Sequence, residues 1–271
     1  MLFLLPWMGF TYLLDIADSL LATKVLGLEP VGMGANPQTI IKYSLAVAGT
    51  VLIIWLWRKL VDKESFWSLG LGWKQFSDDA WIGFLTAPAL LGVGTLILVA
   101  FSYLQYSVVN FDPLQLTLQV VLIILIAFAE EIVIRGYLLN NLLQSFNKWI
   151  ALAISAAFFA VMHLANPDAT ILSITNILAA GFLLGINYIY TKNLWFGILF
   201  HFAWNFFQGP LYGYQVSGIK FTGLFQQSLN GPVIWTGGPF GFEASLLCPL
   251  LLLIATAIFA WYFSRRYTAK S

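Results

Sequence analysis

Apolar runs of about 20 residues recur along this chain, at 2–22, 39–57, 80–104, 114–139, 149–165, 170–190, 193–208 and 244–263, and a helix needs about that length to cross a bilayer. In hydrocarbon every backbone polar group must be paired within its own segment, which leaves the helix as the natural form for each run. The expectation is an all-α polytopic membrane protein with about eight transmembrane helices. It forms a single membrane-embedded domain over 1–271, without an internal repeat. Composition excludes a soluble domain, since 60% of the residues are hydrophobic and 9% are charged. A net charge of +1 gives no reason to expect a nucleic-acid partner. One cysteine, Cys248, permits no intrachain disulfide and reads as a packed thiol.

The first run lacks the basic flank and small-residue cleavage site of a signal peptide. It also holds Asp15 and Asp18, so it reads as a retained helix whose aspartates are structural or interfacial. Loop charge sets the orientation, because Lys and Arg are retained on the cytoplasmic side. With both termini inside, that side holds Arg58, Lys59, Lys63, Lys74, Lys148, Lys192, Arg265, Arg266 and Lys270. The outer side holds only Lys24, Lys42 and Lys220. The charged stretch 58–79, with Trp67 and Trp73, reads as a cytoplasmic loop with an interfacial helix. The Gly/Pro/aromatic-rich loop 209–243 falls on the outer side. It is too long for a turn, and Gly237-Gly238-Pro239 with Phe240 and Phe242 suggests a folded lid.

Against this background a few polar residues stand out inside the apolar runs: Glu130-Glu131-x-x-x-Arg135, Phe159-x-x-x-His163 and His201-x-x-x-Asn205. An ionisable group at the bilayer centre costs about 2.5 to 3.5 kcal/mol on insertion scales, so such groups mark a working site. Three segments carrying them predict one shared polar pocket between helices of the second half of the chain.

Adjacent Glu130 and Glu131 project about 100° apart on a helix and cannot do the same job. Glu131 precedes Arg135 by four residues, the favourable order for an intrahelical ion pair, and a buried arginine needs such a partner. Glu131 is therefore expected to be structural, and Glu130 to face the pocket as a general base. Counting along their runs places Glu130 and His163 near mid-membrane, with Phe159 packed beside the pocket. His201 and Asn205 share one helical face and offer an imidazole and an amide toward one point. They read as oxyanion donors to an amide carbonyl attacked by water, or as an interhelical hydrogen-bond pair. Two histidines and a glutamate could alternatively hold zinc. The chain has neither a His-Glu-x-x-His helix nor the Glu-x-x-His pair of helix-bundle metal sites. The expectation is no cofactor, with zinc as the alternative.

The order Glu130-Glu131-x-x-x-Arg135-Gly136-Tyr137-Leu138, then Phe159-x-x-x-His163, then His201-x-x-x-Asn205, resembles the CPBP family of intramembrane endopeptidases. That family includes the CAAX prenyl proteases and bacterial abortive-infection and bacteriocin-processing relatives. The motif-bearing core covers about residues 114–208. The resemblance implies that Glu130 and His163 activate water, that His201 and Asn205 form an oxyanion hole, and that the partners are the lipid bilayer and a peptide or lipidated protein substrate. The segment Gly237–Glu243 is similar to the C-terminal region of some bacterial members, which implies a prokaryotic plasma membrane. Nothing in the chain selects a cleavage sequence, a prenyl group or an oligomeric state. Two other classes fit an apolar chain with a polar pocket. One is a non-catalytic scaffold or immunity factor that binds a peptide or lipid, although every expected catalytic group is present here. The other is a transporter, but the polar motifs have no counterpart in the first half of the chain.

Overall fold

A computed structural model describes residues 3–20 and 35–268. Its principal helices are α1 (Leu4–Leu20), α2 (Pro37–Trp57), α3 (Ser77–Ala100), α4 (Pro113–Glu131), α5 (Lys148–Met162), α6 (Ile171–Ile186), α7 (Trp195–Phe206) and α8 (Leu247–Thr268). One falls in each apolar run. Local signals set several starts. Asn36 caps α2 by accepting from the Thr39 amide at 2.9 Å, and Asp112 caps α4 by accepting from Gln115 at 3.0 Å. Each of these caps is followed by a proline, whose missing N–H costs nothing in the first turn. Asn147 caps α5, and Thr170 and Ser173 close a capping box on α6.

Among the described residues, five helical stretches are long and apolar enough to cross a bilayer: Pro37–Asp62, Ser77–Ala100, Pro113–Ser145, Ile171–Thr191 and Leu247–Tyr267. The molecule is a helical, multi-pass membrane protein. Two of the remaining helices are short. With 15 and 12 residues, α5 and α7 are only about 22 Å and 18 Å long at 1.5 Å per residue. A hydrocarbon core is about 30 Å thick, so neither helix is long enough to cross it by itself.

The connections gather at two ends. At one end Gln115 Nε2 donates to Ala35 O at 3.0 Å, and Asn166 Nδ2 to Ser217 O at 3.0 Å. At the other end Tyr188 Oη donates to Leu69 O at 3.0 Å, and Asn193 Nδ2 to the carbonyls of Gly70 and Gly72 at 2.9 and 2.7 Å. Asp79, 1% exposed, accepts there from Tyr267 Oη at 2.5 Å and from Asn187 Nδ2 at 3.3 Å, tying α8 and α6 to the start of α3.

The structure departs from the sequence expectation at several helix ends. The run 80–104 stops being helical at Ala100, and Leu104–Val109 forms a strand, β1, paired antiparallel with β2 (Phe225–Leu229). This ribbon, the one sheet among the described residues, joins the chain after α3 to a folded cap built from 209–243. α4 runs on through a π-helical stretch, Ile132–Leu139, and a last turn, Asn140–Ser145, because apolar side chains continue there. α5 ends at Met162 and α7 widens into a π-turn over Phe207–Leu211. Wide turns of this kind are frequent at functional sites.

Helix packing relies on close approach at Gly181 of α6. A Cβ there would lie 2.8 Å from Ala156 Cα on α5, so only glycine lets the two backbones meet. Near the opposite end of the chain, the Phe3 ring packs 4.3 Å from that of Tyr137. Arg58, expected in a solvated loop, is instead 2% exposed and held by Asp62 at 3.3 Å and by the Ser68 hydroxyl. Asp15 pairs with Lys42 of α2 at 2.9 Å, away from Arg135, while the Asp18 side chain, Lys24 and Lys270 lie outside the described residues.

Candidate active site

A cavity of about 180 Å³ lies between α2, α4, α5, α6, α7 and the cap, and Glu130, His163, His201 and Asn205 all line it. The three sequence motifs therefore meet in one place. Glu130 and Glu131 occupy the last turn of α4, and the wide Ile132–Leu139 stretch follows them directly. Their different facing separates them sharply. Glu131 is fully buried, whereas a quarter of the Glu130 side chain remains exposed. Glu130 Oε2 is buried without a hydrogen-bond partner among the described residues.

Glu131 and Arg135 meet as their spacing predicts, with Nη1 donating to Oε1 at 2.7 Å. Arg135, 1% exposed, also donates from Nη2 to Gly181 O at 3.2 Å. Its guanidinium lies 4.4 Å from the centre of the Phe159 ring, a cation–π contact in a desolvated setting. Phe159 also packs 4.7 Å from the His163 ring and edge-on, 5.9 Å, to that of His201. It thus spaces the arginine from both imidazoles.

His163 is not within a helix at mid-span. It caps the C-terminus of α5, a position that no local signal marks, because Leu164 and Ala165 continue the apolar run. Its Nδ1 lies 2.8 Å from Phe159 O. A carbonyl only accepts, so Nδ1 carries a proton in this contact, and in the neutral tautomer Nε2 is the acceptor.

His201 makes a contact that helical periodicity alone did not suggest. Its Nδ1 lies 3.1 Å from Glu131 Oε1, the same oxygen that accepts from Arg135. Its Nε2 lies 3.9 Å from Glu130 Oε2, so the ring stands between the two adjacent carboxylates. Gly197, one turn earlier on α7, makes room for this arrangement. A Cβ at that position would come within 2.8 Å of Glu131 Oε2. Asn205 sits one turn beyond His201, 7% exposed, on the cavity wall.

The cavity also takes residues that the motif reading passed over, among them Tyr43, Asn166, Ser217 and Glu243. Glu243, the only acidic residue in 209–243, was visible in sequence only as an isolated charge. Its Oε2 accepts from the Ser217 amide at 2.7 Å and hydroxyl at 2.8 Å, and its Oε1 accepts from Trp204 Nε1 at 3.1 Å. Asn176 of α6 donates to the carbonyls of Glu243 and Ser245 at 2.7 and 2.8 Å. The cap is therefore anchored to α6 and α7 beside the site. No cluster of three or more His, Cys, Asp or Glu placed to hold a metal ion occurs among the described residues.

Chemically, the cavity combines an unpartnered carboxylate oxygen, an imidazole acceptor and a second imidazole with an amide beside it. No curated protein and no solved structure matches the chain. Residues 112–207, the stretch that carries all three motifs, match the family described as Type II CAAX prenyl endopeptidase Rce1-like. The stretch that supplies Glu130, His163, His201 and Asn205 to this cavity is thus similar to the type II CAAX prenyl endopeptidase family.

Proposed function

We propose that the protein is an intramembrane endopeptidase that cleaves a membrane-associated or C-terminally modified peptide with water activated by Glu130 and His163. The observation that carries this reading is Glu130 Oε2, buried, unpartnered and on the wall of a cavity shared with both histidines. Glu130 Oε2 and His163 Nε2 are both acceptors. One water can donate a hydrogen to each and keep a lone pair directed at a substrate carbonyl. Glu130 takes the proton as that lone pair attacks. The developing oxyanion is met by His201 and Asn205, and removing one such donor typically costs about 2.7 to 4 kcal/mol. The proton then passes to the leaving amine as the peptide bond breaks.

The match of 112–207 to a family of CAAX endopeptidases supports the reaction class. Prenyl specificity is a narrower reading, because the cavity's apolar walls, Ile123, Ile126, Phe200 and Phe221 among them, would suit any apolar group. In orientation, we place the end carrying Arg58, Lys59, Lys63, Lys74, Lys148, Lys192, Arg265 and Arg266 in the cytoplasm and the cap outside, on the positive-inside rule.

The test is cleavage of a pooled peptide library, farnesylated CAAX ends included, by purified detergent-solubilised protein beside its Glu130→Gln variant. Cleavage present in the wild type and lost in the variant is expected. Equal cleavage by both would reject Glu130 as the base. A folded wild type that binds peptides without cutting any would favour the scaffold reading.

A further inference from the structure

We propose that Glu131 acts on the reaction through His201, as a positioning residue that holds this ring as an imidazolium with its Nε2–H turned toward Glu130 and the cavity. The catalytic consequence rests on the protease reading above, but the charge assignment does not.

Arg135 keeps its proton in any protein environment and donates from Nη1 to Glu131 Oε1 at 2.7 Å. A fully buried carboxylate in that contact is ionised, and an ionised carboxylate can only accept. The same Oε1 lies 3.1 Å from His201 Nδ1, so the proton of that contact sits on Nδ1. A neutral ring would then present a bare Nε2 to Glu130 Oε2 at 3.9 Å, with two lone-pair atoms face to face. Two carboxylates would also stand against a single guanidinium. Protonating Nε2 turns the contact into an attraction and balances the cluster, with one imidazolium and one guanidinium for two carboxylates. Balance matters where the Arg135, His201 and Glu131 side chains are only 1%, 8% and 0% exposed, because an uncompensated buried charge is costly.

The other groups facing His201 do not alter this count. From α5 it meets the edge of the Phe159 ring. Elsewhere on the cavity wall, His163 is tied through Nδ1 to Phe159 O, and Glu243 is engaged by Ser217 and Trp204. An oxyanion at His201 would therefore be met by a charged N–H, which binds about twice as strongly as a neutral one. The neutral Asn205 amide would supply the second donor.

The chain has two histidines, so nitrogen-15 histidine labelling of the whole protein in detergent gives two sets of ring resonances. A His163→Gln variant tells them apart. At neutral pH the expected result is one ring with both nitrogens protonated, His201, and one neutral ring protonated on Nδ1, His163. The imidazolium should revert to a neutral ring in Glu131→Gln and also in Glu130→Gln, because either change leaves one carboxylate for the guanidinium; in Glu130→Gln the remaining proton should stay on Nδ1, facing Glu131. A neutral His201 in the wild type would overturn the proposal. So would an imidazolium retained in either variant. If Glu131→Gln does not fold, the wild type and Glu130→Gln decide. The measurement needs no substrate. A neutral His201 would leave the protease reading intact with an uncharged donor to be found, and an absence of cleavage would leave the charge assignment intact.

Discussion

Glu131 meets His201 across the boundary between α4 and α7, Oε1 to Nδ1 at 3.1 Å, while the same oxygen holds Arg135 from within its own helix. One carboxylate therefore joins the arginine that packs under Phe159 to the imidazole that faces the cavity. Its neighbour in sequence, Glu130, takes no part in that joint; its Oε2 has no hydrogen-bond partner among the described residues and lies 3.9 Å from His201 Nε2 on the other side of the ring.

Glu130→Gln should reduce turnover by on the order of 10²–10⁴-fold, the usual contribution of a positioned acid or base. Thermal stability should stay near that of the wild type, since Oε2 has no hydrogen-bond partner to lose among the described residues. Cleavage rate and melting temperature, read in the same detergent, check both halves.

Arg135→Ala should instead act on the fold. Removing one partner of a buried pair typically costs about 3 to 5 kcal/mol, and the Gly181 carbonyl and the Phe159 ring lose their cation as well. A lower melting temperature and a lower folded yield are expected. A melting temperature equal to that of Glu130→Gln would show that the two glutamates are not divided in this way.

Gly197→Ala adds a single methyl beside Glu131 Oε2, at 2.8 Å, and beside Leu184 O, at 3.1 Å. The carboxylate is held by Arg135 and His201 and cannot swing clear, so α7 must shift. The cost should fall within the roughly 1 to 3 kcal/mol of overpacked sites. Activity should fall further than stability does, because the shift moves His201 and Asn205. Thermal melts and cleavage assays together test the pairing of these effects.

Glu243→Gln removes the charge that Ser217 and Trp204 address from two sides. Hydrogen bonds to charged groups contribute about 1.5 to 3 kcal/mol. Faster hydrogen exchange across residues 213–221 is the expected signature, with KM raised more than kcat is lowered. Unchanged exchange in that segment would show that the cap is held by other contacts.

Chelation should leave cleavage untouched. The reading needs only Glu130, two imidazoles and an amide, and no metal-holding cluster of three acidic, His or Cys side chains occurs among the described residues. Loss of activity on treatment with a zinc chelator, restored by added zinc, would replace water activation by Glu130 with metal chemistry.

What could be read in advance followed from local periodicity. Each apolar run holds a helix among the described residues because a helix satisfies its own backbone, a property of each segment alone. The contact of Glu131 with Arg135 follows in the same way from a four-residue spacing on one helix. The end of α5 did not, since Leu164 and Ala165 are as apolar as the helix before them while the chain turns at His163 to meet the cap. The pairing of β1 with β2 was equally hidden, because it joins segments more than 100 residues apart.

The sequence by itself determined a multi-pass helical protein and the helix faces on which its polar residues stand, because both depend on neighbours within a few residues. Tertiary structure alone decided that His201 stands between Glu130 and Glu131, that His163 lies at a helix end, and that Glu243 fastens a cap beside the cavity. Those relations depend on how α4, α5 and α7 are rotated and shifted against one another. Close approaches at Gly181 and Gly197 set that register, and no spacing along the chain encodes it.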